Sequence, residues 1–420
     1  MSGSETKQKI LNAAFELIIE EPMESFSLTT IAKRVGISKP AIFRHFLNKE
    51  ALLESLKVDF FYKITMVLKD IFGKDGTFYC ADVFDKIACY FINNPKDLIF
   101  IVRLVLYADN VEEFFLREMK TAGMQINVKK NLYKDEQGLH IIDKNKYYQV
   151  VFHALTVVLL LKTYIEDRDL HHQKVCSPQE CAQNIRLFLY KGFTGLEPVS
   201  NERFSELRNN LTFKLPEESI FSKIFKGFCL AVEKKGSLDV TVDSIAKESG
   251  MAKSSLYNYS ETKDELLELL LKTELNLIRK NLSENLGFAK NNTEILFVYM
   301  YTLLGYFRNK PYSLRVFGWL RNLNILKITD FDTKDFTSFL DDFSNVQAVD
   351  MGFNISIMRW TEWLSCMPIT LLIQGWQYNF SEEDIFNGIK QMISFISNGD
   401  KTIHIDFKEN CSRTSVSGQI

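Results

Sequence analysis

The residues that could do chemistry gather in two short stretches. Between positions 28 and 53 stand Thr29, Thr30, Ser38, Lys39, Arg44, His45 and Lys49, interleaved with the small Pro40 and Ala41 and the ring of Phe43. Between 242 and 267 stand Lys253, Ser254, Ser255, Tyr257, Asn258, Tyr259 and Lys263. Side chains of these types can hydrogen-bond to the base edges and phosphates of a nucleic acid. Lys39 can donate to guanine O6 or to a phosphate, Pro40 and Ala41 are small enough to meet a thymine methyl, and Asn258 can pair with adenine. Thr29 and Thr30 suit a phosphate through their hydroxyls and the open amides of a helix start. Lys49 adds a charge-assisted phosphate contact.

No residue set for catalysis accompanies them. The sequence lacks a phosphate-binding Gly loop, HExxH, GxSxG and paired CxxC, so neither an enzyme nor a cofactor is expected. His171 and His172 with Cys176 and Cys181 have the donor atoms of a zinc tetrahedron. Their spacings match no common site, and no metal is assigned. The seven cysteines, an odd number scattered over 420 residues, read as reduced thiols of a cytoplasmic protein. The longest apolar run lies between Lys146 and Lys162 and is interrupted by Gln149 and His153. A bilayer needs about 20 apolar residues in a helix, more than this run offers, so no membrane partner is expected.

Composition narrows the architecture. Lys plus Arg is 51 against 53 for Asp plus Glu, a net charge of -2, which excludes binding through bulk positive charge but allows a local basic patch. Only 19 Gly and 8 Pro in so long a chain argue for long helices.

The elements that must carry the two stretches are related. A single constant offset, the one that carries Ile10 to Ile224, aligns Ile10–Leu56 with Ile224–Leu270 without a gap. It pairs Ile31 with Ile245, Ala32 with Ala246, Gly36 with Gly250, Lys39 with Lys253 and Leu52 with Leu266. Each copy opens on an amphipathic helix, with Ile10, Ala14, Leu17 and Ile18 on one face in the first and Ile224, Phe228, Ala231 and Val232 in the second. Ser27–Val35 reads as a short helix ended by Gly36, and Ser38 as the cap of another running to His45. Thr262-Lys-Asp-Glu265 is a capping box for a long fourth helix. Lys144–Asp167 and Asp350–Tyr378 are long apolar helices, each followed by a last one, Pro178–Lys191 and Ser381–Ser397. The fold class is all-α, and no strand-period segment stands out.

Leu28 to Leu53, with its Ile31-Ala32 pair, Gly36-Ile37-Ser38 turn, Phe43-x-His45-Phe46 and Lys49-Glu50 followed by Leu52-Leu53, resembles the helix-turn-helix of TetR-family transcriptional regulators. Val242 to Leu267 resembles it more loosely, with Tyr259 and Ser260 where the first copy has His45 and Phe46. The resemblance implies two tandem units, each a three-helix DNA-binding domain followed by a helical ligand-binding and dimerisation domain. The boundaries are 1–48 and 49–195, a polar linker over 196–216, then 217–262 and 263–400, and a polar tail over 401–420. It implies double-stranded operator DNA and a small-molecule inducer as partners. It also implies an apolar pocket, for which Phe100, Leu104, His153, Phe317 and Trp360 are the candidates.

The two copies differ in charge. Residues 1–60 balance eight basic against eight acidic groups, while 216–275 carry eight lysines against eleven acidic residues, with Asp243 in place of Thr29. Either the second copy reads a different half-site or it has lost much of its DNA affinity. Regulators of this family pair through the last two helices of each subunit, so the simplest assembly is a covalent pseudo-dimer, with each half pairing to a second chain as the alternative. The linker over 196–216 reaches roughly 70 Å at about 3.3 Å per residue. Fusion would replace association by an effective concentration on the order of millimolar. The competing function is a ligand-sensing or protein-interaction module with degenerate heads.

Overall fold

Helices account for nearly all of the regular structure. The computed structural model describes residues 3–20, 26–69, 80–107, 117, 121, 132–134, 140–142, 144–171, 175–217, 219–235, 240–314, 316–317, 346–377 and 379–403. Among the described residues the all-α expectation meets one departure, an antiparallel pair of two short strands, β1 (Leu132–Lys134) and β2 (His140–Ile142), with Leu132 opposite Ile142. Strands this short cannot show a period of two in the sequence.

The first head is α1 (Gly3–Glu20), α2 (Leu28–Val35) and α3 (Lys39–Ile42), leading into α4 (Lys49–Leu68). The stripe Ile10, Ala14, Leu17 and Ile18 is buried in one core with Ile31, Ala32 and Ile42. Ser27 caps α2, its Oγ accepting from Thr30 N at 3.1 Å. Gly36 closes the helix at φ 73°, and the amides of Gly36 and Ile37 donate to Lys33 O and Ala32 O. The second head repeats this geometry in α10 (Ile220–Lys235), α11 (Val242–Ser249) and α12 (Lys253–Leu256), followed by α13 (Lys263–Leu286). Thr241 caps α11, and Gly250 closes it at φ 64° with the amides of Gly250 and Met251 donating to Lys247 O and Ala246 O.

Between the heads run α5 (Cys80–Asn93), α6 (Pro95–Tyr107), α7 (Lys144–His171) and α8 (Pro178–Lys191). The segment read as a polar linker holds a helix, α9 (Asn201–Asn210), capped by Ser200. It is docked rather than loose, because its few apolar residues, Phe204, Leu207 and Leu211, are buried. Arg203 makes a bidentate pair with Glu294 at 3.0 and 2.8 Å. Asn281 and Asn285 then hold the backbone of Lys214 and Thr212 through side-chain amides, as strand partners would. The helices of the second half follow as α14 (Asn292–Asn309), α15 (Ile357–Gln377) and α16 (Glu382–Asn398), and their buried residues share one apolar core with those of the first half. The helix expected from Asp350 starts only at Ile357, since Gly352 sits at φ 71° and Asp350 Oδ1 accepts its amide in a tight turn.

The four final helices, α7 and α8 from one half and α15 and α16 from the other, pack into a bundle. Trp363 lies at its centre, donating through Nε1 to Thr156 Oγ1 at 3.1 Å and packing against Phe152 and Phe188. Tyr148 OH donates to Asp384 O at 2.6 Å. A Cβ on Gly388 would lie 2.9 Å from the Tyr148 ring, so glycine there lets α16 approach α7. At the far end α8 and α16 cross in a reciprocal arrangement: Phe193 N donates to Ile396 O and Asp400 N to Leu189 O, both at 2.7 Å.

The two heads join this shared core differently. In the first half Phe100 packs between Phe15 and Phe60 with its ring tilted to both, and the head's apolar interior runs into the main core. The offset that relates the copies carries Phe60 to Glu274, which pairs in the interior with Lys310 at 2.7 and 2.8 Å. Tyr306 OH donates to the same carboxylate at 2.7 Å. The second head keeps a separate apolar interior around Phe225, Phe228 and Leu256.

Candidate nucleic-acid interface

Each head presents its short helix to solvent on a buried anchor, Ile42 in the first and Leu256 in the second. The helix expected from Ser38 to His45 is regular only over Lys39–Ile42 and then tightens, with Arg44 N and His45 N bonding three residues back. Ser38 makes no side-chain cap. Pro40 removes one donor of the first turn, and Ala41 N bonds to the Ser38 carbonyl at 2.9 Å.

On the first head Thr29, Ser38, Lys39, Pro40, Phe43 and Arg44 are exposed, while Ala41, His45 and Lys49 are half-buried. Phe46 is buried and holds the turn down. Thr30 is turned inward, sharing a 2.8 Å hydrogen bond with Ser27. Lys49 Nζ lies 5.3 Å from the centre of the Phe26 ring, which steadies the stem and leaves the charge at the surface. Leu47 is 82% exposed beside them. Sequence reasoning misses it because nothing marks a leucine in an apolar pattern as outward.

On the second head Lys253, Ser254, Tyr257, Asn258 and Tyr259 are exposed, and Ser255 and Lys263 half-buried. The Tyr259 ring packs on Phe221 at 5.3 Å. Lys253 Nζ lies 2.8 Å from Asp243 Oδ2, and this carboxylate raises the lysine above its usual range. The two belong to successive helices, so only the turn between them makes the contact. Lys39, the matching residue of the first head, makes no ion pair among the described residues.

An ion pair braces each head at the same place with opposite polarity. Glu20 pairs with Arg34 at 2.7 Å, and at the equivalent positions of the second head Lys234 pairs with Glu248 at 2.6 Å.

The pocket candidates stand apart. Phe100 is in the first joint, and Phe317 packs on Phe225, Tyr306 and Phe307 in the second. Trp360 is in the bundle against Phe188, Phe193 and Trp363. His153 Nε2 lies 3.0 Å from Asp400 Oδ2. The side chain of Leu104 lies outside the described residues, as does that of His171; His172 is outside them altogether. A cavity of about 270 Å³ opens elsewhere, between Ile19 of α1, Leu98 and Val102 of α6, Val158 of α7 and Cys366 of α15, with Lys162, Glu166 and Glu362 at its polar edge. Arg359 ties Glu166 to Glu362 there. The five cysteines whose side chains are described are free thiols, no group of side chains able to hold a metal is found among the described residues, and no described helix is long and apolar enough to cross a membrane.

Two helices at a tight glycine-closed turn, the second outward and bearing cations, have the geometry of a helix-turn-helix. Residues 10–56 match the family described as bacterial regulatory proteins, tetR family. The chain is 36% identical over 50 residues to the tetracycline repressor protein class C of Escherichia coli, covering 12% of this chain and 23% of that protein. It is 39% identical over 51 residues to the HTH-type transcriptional regulator UidR of Escherichia coli strain K12, covering 12% of this chain and 26% of that protein. The chain therefore spans about a quarter of the length of the curated relatives it matches. Residues 10–56 form a TetR-family N-terminal helix-turn-helix domain.

Proposed function

We propose that the chain is a sequence-specific DNA-binding transcriptional regulator, a repressor, that works as a covalent pseudo-dimer of two TetR-like units. The observation that carries this reading is the reciprocal crossing at the ends of α8 and α16. Gly192 and Gly399 both take positive φ, and the residue after each donates to the last turn of the other helix. A pair of contacts in which i meets j and j meets i is the signature of an isologous two-fold interface, found here inside one chain. The matching cap glycines Gly36 and Gly250, and the reversed ion pairs Glu20–Arg34 and Lys234–Glu248, support two heads built on one plan. Thr29, Ser38, Lys39, Pro40, Ala41, Phe43, Arg44, His45 and Lys49 are the proposed contacts of the first head, with Thr30 supporting them. Lys253, Ser254, Ser255, Tyr257, Asn258, Tyr259 and Lys263 are those of the second.

Release from DNA is proposed to follow binding of a small apolar molecule. The cavity touches the first head at Ile19, its core at Leu98 and Val158, and the other half at Cys366. A ligand there would have different contacts in two arrangements of the heads, which is the requirement for shifting an equilibrium.

Selection of duplexes from random DNA by the full chain tests the reading, with Lys39→Ala/Arg44→Ala as control. An enriched motif lost in the double variant supports it, and no enrichment would sink it. Light scattering tests the assembly. A mass of 48.8 kDa agrees with a one-chain pseudo-dimer, and twice that value overturns it.

A further inference from the structure

Position 243 is where the two heads part electrostatically while their frames agree. It is the second residue of α11, and Lys253 is the first of α12, the helix that the second head presents. Their counterparts are Thr29, second in α2, and Lys39, first in α3. The caps, the closing glycines and the bracing ion pairs are shared, so the backbone gives no reason for the second head to bind DNA differently. The charges do. In a docked helix-turn-helix the start of the earlier helix faces phosphate, and a lysine at the start of the later helix is free to reach it. Asp243 puts a carboxylate at the first of these places and draws in the cation from the second. The side chains of Lys253 and Asp243 are 48% and 67% exposed, so the pair is a breakable surface contact that attenuates rather than blocks.

We infer that Asp243 sets the affinity of the second head, holding Lys253 back from the DNA backbone, so that the chain loads through its first head and grips the two half-sites unequally. The inference rests on the DNA-binding reading given above. It makes the operator directional: one strong half-site recruits the chain, and the weaker one is engaged by the tethered second head at high effective concentration.

The test uses the full chain and a random-sequence duplex of about 40 base pairs, with anisotropy titrations from about 50 to 200 mM salt. The first head is silenced with Lys39→Ala/Arg44→Ala, and Asp243→Thr or Asp243→Asn is added. Either addition should tighten binding roughly 5- to 10-fold at the lowest salt and steepen the salt dependence by about one phosphate contact. A further Lys253→Ala should remove most of the gain and the added salt dependence, leaving only the relief of the carboxylate's own repulsion. Unchanged affinity and slope in both Asp243 variants would overturn the inference, as would a gain that survives Lys253→Ala undiminished. If the unmodified chain shows no salt-sensitive binding to the duplex, the DNA-binding reading itself fails and takes the inference with it. The first two outcomes leave that reading standing.

Discussion

Gly192 and Gly399 face one another where α8 and α16 end, and neither tolerates a side chain. Both sit in the left-handed region, at φ 70° and 66°. A Cβ on Gly399 would lie 2.0 Å from Tyr190 O, and one on Gly192 would lie 2.5 Å from Ile396 O. Each glycine permits the backbone approach that lets the two halves exchange hydrogen bonds. Gly192→Ala and Gly399→Ala should each destabilise the chain by at least about 3 kcal/mol in urea unfolding. Gly36→Ala has open space around its Cβ and only the φ strain to bear, so its cost should be about 1 kcal/mol. Equal costs at the three positions would refute this account of the crossing.

The ion pair of Glu274 and Lys310 gives a second prediction. Lys310→Met strands a buried carboxylate and should cost about 3–5 kcal/mol. Adding Glu274→Leu should restore most of that, because the first half fills the matching place with Phe60. Chemical denaturation of the single and double variants decides it, and additive losses would contradict it.

Acid should act through Asp400. Burial pushes its carboxyl up, but contacts from His153, Gln149 and Thr402 outweigh that and hold it well below the usual carboxylate range. A depressed folded value means stability that is present above the unfolded pKa of about 3.9 and is lost as pH falls towards the folded value. Asp400→Asn should therefore lower Tm clearly at pH 7, and the gap to the parent should narrow once pH drops below about 4. A gap independent of pH would exclude the mechanism.

For DNA, Arg44→Ala and Lys39→Ala should each weaken binding. A phosphate-contacting residue would lower the salt slope by about one contact, whereas a base-contacting one would relax sequence preference at a cost of about 1–3 kcal/mol. Comparing the slopes with the selected motifs assigns the role of each. Variants with parental slopes and parental motifs would place both residues outside the interface.

Val158→Trp should fill the cavity between α1, α6, α7 and α15. DNA affinity should stay within about twofold of the parent, while apolar compounds that release the parent should need at least about tenfold higher concentration. Full retention of the response would move the ligand site elsewhere.

Much of this was legible in the sequence because it is local. Ser27 and Gly36 bracket α2 through bonds to near neighbours along the chain, and the constant offset between the copies carried the same brackets to Thr241 and Gly250. The apolar stripes of α1 and α10 needed only the helical period of about 3.6. Exposed Lys39, Phe43 and Arg44 followed from the same local pattern once Ile42 was buried. The linker misled because its polar composition concealed three inward residues, Phe204, Leu207 and Leu211, and Asn281 and Asn285, far along the chain, supply the partners its backbone needs.

By itself, then, the sequence determined the helices of the two heads, the caps of their second helices at Ser27 and Thr241 and the cations they carry, since such features depend on neighbours within a turn or two. Only the tertiary structure decided that Lys253 would be drawn to Asp243, and that Glu274 would meet Lys310 in one joint where Phe60 meets Phe100 in the other. It alone decided that Gly192 would close on Gly399, from opposite halves of the chain. Those pairings depend on how helices pack. Packing is set by the summed fit of many apolar side chains, which no single position reveals.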